Sequence, residues 1–76
     1  MSAPPLTIQL NGQPHLFKEL TSPADLVHVI DSLGLKTDRI AVEHNGEIVS
    51  RVTWAQASVA TGDHLEIVHF VGGGTT

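Results

Sequence analysis

The chain has 76 residues, no cysteine, and eight Asp and Glu against four Lys and Arg, for a formal charge of -4. That length holds one core and leaves no room for separate cofactor and substrate domains. The missing thiols exclude disulfide frameworks, cysteine nucleophiles and thiolate metal sites. The basic residues stand singly, at Lys18, Lys36, Arg39 and Arg51, so no patch is offered to nucleic acid or an anionic membrane. No apolar run approaches the roughly 18 residues that span a bilayer, and the start, Met1-Ser2-Ala3-Pro4-Pro5, lacks a signal peptide's basic and apolar regions. A cytoplasmic protein is expected.

Residues 6–10, Leu-Thr-Ile-Gln-Leu, alternate apolar and polar as a half-buried strand does. Asn11-Gly12 supplies the positive φ of a tight hairpin, and a second strand over 15–20 returns beside the first. Pro14 cannot donate to a ladder, which puts that strand at an edge or makes Pro14 its entrance. Ser22-Pro23-Ala24-Asp25 reads as a helix start, with Ser22 as the cap, Pro23 in the first position and Asp25 against the helix dipole. Leu26, Ile30 and Leu33 then recur on one face, and Gly34 stops the helix.

Residues 39–44 read as a third strand with Ile40 and Val42 on one side. Asn45-Gly46 is a second hairpin turn, and 47–49 is a fourth strand. The stretch around Trp54 reads as one or two short helical turns, with the indole in or near the core. Thr61-Gly62-Asp63 turns the chain into a last strand over 64–71. Along it Leu65 and Ile67 share one face, and Glu66, Val68 and Phe70 share the other. The pattern predicts an α+β domain: a mixed sheet of about five strands with one main helix packed on one face. Its core is expected to gather Leu6, Ile8, Leu10, Leu26, Ile30, Leu33, Ile40, Val42, Leu65 and Ile67, with the first and last strands central. The domain is expected to occupy residues 1–71, followed by a flexible glycine-rich tail over 72–76.

The five histidines (His15, His28, His44, His64 and His69) do not make a metal site by spacing, since His64 and His69 fall on opposite faces of one strand. No Ser, His and acid arrangement emerges either. The glycine run Gly72-Gly73-Gly74 is not a phosphate loop, because neither lysine nor helix follows it. A tail free of side chains can instead pass through a narrow channel into another protein's active site. Val68 and Phe70, with Val71, would form an apolar docking patch beside that tail.

The segment Gly62-Asp63-His64-Leu65-Glu66-Ile67-Val68-His69-Phe70-Val71-Gly72-Gly73-Gly74 resembles the C-terminus of ThiS-type sulfur carriers of thiamine biosynthesis. The stretch Ala41-Val42-Glu43-His44-Asn45-Gly46-Glu47-Ile48-Val49 and the Arg51-x-x-Trp54 spacing are similar to that family's central region. The resemblance covers nearly the whole chain and implies a ubiquitin-like β-grasp fold. It also implies a carrier that is a protein substrate rather than an enzyme and binds no cofactor. In that scheme an ATP-dependent, ThiF-type enzyme adenylates the terminal glycine. Sulfur then makes it a thiocarboxylate, which supplies thiazole synthase or another sulfur acceptor. Gly74 takes the carrier role, with Gly72 and Gly73 threading the partner's channel. Family members end at the last glycine, whereas Thr75-Thr76 follow here, so a protease that removes the dipeptide is expected. The alternatives are a ubiquitin-like modifier joined to lysines through its glycine end, and an interaction module with an inert tail.

Overall fold

A computed structural model describes residues 4–70. Strand β1 (Pro5–Leu10) and strand β2 (Gln13–Thr21) form an antiparallel hairpin. Asn11 and Gly12 sit at its turn with φ of 50° and 82°. Two successive positive φ values match the right-handed twist of the strands, and the Asn-Gly pair adopts them cheaply. The same device recurs at Asn45 and Gly46 between strand β4 (Ile40–His44) and strand β5 (Glu47–Val49).

Three short elements lie between these hairpins. Strand β3 (Ala24–Asp25) leads directly into helix α1 (Leu26–Ser32), and a 3-10 turn spans Thr37–Arg39. After β5 come a 3-10 helix (Arg51–Gln56), strand β6 (Ser58–Val59) and strand β7 (His64–His69). The main sheet runs β2-β1-β7-β4-β5, with β7 parallel to β1 and antiparallel to β4. The first and last long strands are therefore interior, as the alternation predicts, and β2 with its Pro14 is an edge. The arrangement is the mixed, β-grasp sheet with one helix on one face.

The helix start departs from the sequence expectation. Ala24 and Asp25 are drawn into a two-residue antiparallel ladder with Val59 and Ser58, which delays the helix until Leu26. Asp25, rather than Ser22, is the cap: its Oδ1 accepts the His28 amide at 2.8 Å. The Ser22 hydroxyl instead accepts the Thr61 amide at 2.9 Å. A long-range pairing has overridden a local capping preference.

Eight of the ten expected core residues are buried: Leu6, Ile8, Leu26, Ile30, Ile40, Val42, Leu65 and Ile67. Leu10 and Leu33 are only partly buried, at the rim of that core. Phe17, Val29, Trp54 and Val59 complete it. Trp54 lies in the core as expected, and its indole N–H donates to the Val49 carbonyl at 3.0 Å. Burying an indole without that bond would strand a donor in apolar surroundings.

Candidate functional site

Strand β7 alternates as the sequence requires. Leu65 and Ile67 are buried beneath the helix, while Val68 is 59% exposed on the opposite face. Phe70 lies one residue beyond the strand and is 56% exposed. Its amide donates to the Arg39 carbonyl at 2.8 Å, which pins the point where the chain leaves the sheet. Val71, Gly72, Gly73, Gly74, Thr75 and Thr76, expected to carry the docking patch onward and form the tail, lie outside the described residues.

Both hairpin turns hold β7 in place. Beyond Leu10 the parallel ladder continues through the Asn11 amide, which donates to the Leu65 carbonyl at 2.8 Å. The next rung is made by a side chain: Asn11 Oδ1 accepts the Ile67 amide at 2.7 Å. On the other flank, Asn45 Oδ1 accepts the His64 amide at 2.8 Å, and the Asn45 amide donates to the His64 carbonyl at 2.8 Å. The strand that presents the tail is thus clamped along both edges.

The entry to β7 carries a polar cluster. His44 Nε2 lies 2.7 Å from Asp63 Oδ2, and the Ala60 amide donates to the same oxygen at 2.9 Å. Burial pushes the Asp63 carboxyl up, but the Ala60 amide, His44 and Asn45 outweigh it and hold its pKa below the ordinary carboxylate value. The Asp25 pKa is lowered too, first by the His28 amide and then by its ring. These two histidines serve as partners of carboxylates, and their positions are structural.

The register also brings up a residue that sequence reasoning missed. Ile48 is 79% exposed and stands opposite Glu43 across the β4–β5 hairpin. It borders two shallow depressions. One, of about 130 Å³, is lined by Ala41, Val42, Glu43, Ile48, Glu66 and Val68. The other, of about 300 Å³, reaches Arg51, Trp54 and Phe70. The signal lay in Glu47-Ile48-Val49, where Val49 packs toward the core and alternation sends Ile48 outward.

Comparison with known proteins places this geometry in a family. The ThiS family model matches residues 8–74. The chain belongs to the ThiS family. Within it, the chain is 34% identical to the sulfur carrier protein ThiS of Bacillus subtilis, over 88% of this chain and 98% of that protein. A thiazole synthase of Magnetococcus marinus is 38% identical over 91% of this chain. The chain spans about a fifth of the length of that synthase. The crystal structure of the thiamine biosynthesis protein ThiS of Geobacter metallireducens matches with a TM-score of 0.78. It is 26% identical, covering 91% of this chain and all 100% of that one. Among the described residues, the mixed five-stranded sheet with one main helix matches the fold of that ThiS structure. Among the described residues, no helix is long and apolar enough to cross a membrane.

Proposed function

We propose that this chain is a sulfur carrier whose working atom is the carboxylate of Gly74. A ThiF-type enzyme would adenylate that carboxylate with ATP, releasing pyrophosphate. Hydrosulfide would then attack the acyl carbon and displace AMP, leaving a thiocarboxylate. The physical need for adenylation is plain, since a free carboxylate is a poor acyl electrophile and AMP is a good leaving group. The folded domain, residues 1–71, supplies recognition, and the tail over 72–76 supplies reach. In this scheme the carrier is a substrate of its partners and does not itself turn over.

The observation that carries the reading is that the family match runs through the glycines and stops at Gly74, two residues before Thr76. It supports Gly74 as the residue that bears sulfur; in this scheme a protease first removes Thr75 and Thr76. Likeness to thiazole synthases, which contain a similar segment within much longer chains, supports thiazole synthase as the acceptor.

The test is intact mass spectrometry of the untagged protein purified from its own cells. A chain ending at Gly74, part of it with one oxygen replaced by sulfur, is the expected result. A chain retaining Thr75-Thr76 with no modification would defeat the carrier reading. Isopeptide adducts on other proteins would replace it with the modifier reading.

A further inference from the structure

Arg51 and Trp54 stand three apart in a 3-10 helix, a spacing that sets their side chains on one face. Trp54 is sunk in the core and anchors that helix. Arg51 reaches across to another element: its Nη1 donates to the Thr37 carbonyl at 3.1 Å. Among the described residues its guanidinium pairs with no carboxylate. Thr37 opens the 3-10 turn Thr37–Arg39, which has no side-chain cap. The Arg39 amide donates back to the Lys36 carbonyl at 3.1 Å, and the Arg39 carbonyl accepts the Phe70 amide at 2.8 Å. That bond lies beyond the Ile40–His69 pair and is the end rung of the β4–β7 ladder among the described residues. Its acceptor therefore sits outside β4, in the turn that Arg51 holds. Arg51, Trp54 and Phe70 border one hollow, with Asp38 of the same turn.

We propose that Arg51 is a positioning residue for the tail. Through the Thr37 carbonyl it steadies the turn whose Arg39 carbonyl roots the chain at Phe70, four residues before Gly74. The proposal rests on the carrier reading and adds a residue that serves the reacting carboxylate without touching it. A guanidinium stays charged, and a hydrogen bond from a charged donor is about twice as strong as a neutral one. Without it the turn is left to its backbone bond, and the rung at Phe70 frays. A backbone residue released in this way must be ordered again before the tail can enter a partner's channel. Gly74 then meets ATP in the reacting geometry in a smaller share of the docked complexes.

Hydrogen exchange on the full chain tests the link, and adenylation tests its consequence. Arg51→Ala should speed exchange of the Phe70 amide about tenfold and leave the Ile67 amide, held by Asn11, unchanged. Single-turnover adenylation by the ThiF-type enzyme is then read as pyrophosphate release from ATP, on the chain ending at Gly74. The maximal rate should fall about tenfold while the half-saturating concentration of carrier hardly moves. Arg51→Lys should recover part of the loss. Phe70→Pro removes the same rung from its other end, and in that background Arg51→Ala should cost nothing further. Unchanged exchange at Phe70 overturns the proposal. Equal acceleration at Phe70 and Ile67 also overturns it, by making Arg51 a support of the whole fold. A full additional loss in the Phe70→Pro background does so too, since Arg51 would then act on the enzyme directly. An unsubstituted chain that is not adenylated overturns the carrier reading, whereas the exchange result still decides whether Arg51 roots the exit.

Discussion

The side-chain oxygen of Asn11 takes the place of a backbone carbonyl for the amide of Ile67, 2.7 Å away. Asn11 has turned into positive φ to begin the hairpin, so one residue both makes the turn and extends the ladder to the strand that leads into the tail. Substituting glycine preserves the turn and deletes only the acceptor. Asn11→Gly should cost about 1–3 kcal/mol, the penalty of a partly buried amide left without a partner. Asn11→Asp, which keeps the oxygen, should cost markedly less. Urea unfolding of both variants decides the matter, and equal losses would assign the effect to the turn.

Acid should loosen the start of β7. The Asp63 carboxyl has a lower pKa folded than unfolded, so its contribution is present above the ordinary aspartate value of about 3.9. It disappears as pH falls through the depressed folded value. Asp25 titrates in the same sense at the helix cap. Unfolding curves from pH 6 down to about pH 2 should show the stability of Asp63→Asn falling less steeply than that of the parent chain. Parallel slopes would remove Asp63 from the acid response.

Trp54 combines apolar burial with a hydrogen bond to the Val49 carbonyl. Trp54→Phe should destabilise by about 1–3 kcal/mol through the missing bond and the lost volume. Trp54→Ala should cost about 3–5 kcal/mol. Total stability in a small domain is of order 5–15 kcal/mol, so the alanine variant should lie close to unfolding at 37 °C. Circular dichroism melts test both, and a small loss for alanine would mean that the indole's site refills.

Phe70 is exposed and makes its fixed contact through its backbone amide, which any residue but proline retains. Phe70→Ala should leave folding stability within about 0.5 kcal/mol while weakening capture by the adenylating enzyme about tenfold. Calorimetry of binding and melting on the same sample separates the two effects. Unchanged binding would take Phe70 out of the docking surface.

Local chemistry was the legible part of the sequence. Both Asn-Gly turns, the alternation of β7 and the Leu26–Ile30 stripe lie within a few residues of one another and needed no tertiary knowledge. The helix start was misread because Ala24 and Asp25 answer to Ser58 and Val59, more than thirty residues away. A two-residue strand is also too short to show any period. Phe17 and Val59 belong to the core for the same reason: their burial depends on which strands become neighbours. At the candidate site, the exposure of Val68 was readable from alternation, whereas the strand expected to run through 71 ends at His69 and Phe70 lies beyond it. The facing of Glu43 to Glu66 and to Ile48 is a property of register, and register requires the pairing of three strands.

The bond from the Phe70 amide to the Arg39 carbonyl is the last backbone tether among the described residues, and it sets a length. From Phe70 to Gly74 the chain has four residues, which fully stretched cover about 14 Å. The domain is too wide to follow its tail into a channel, so any enzyme acting on Gly74 must hold its reactive atoms within about 14 Å of the rim on which the sheet rests. An active site deeper than that would be closed to this carrier however well the surfaces matched.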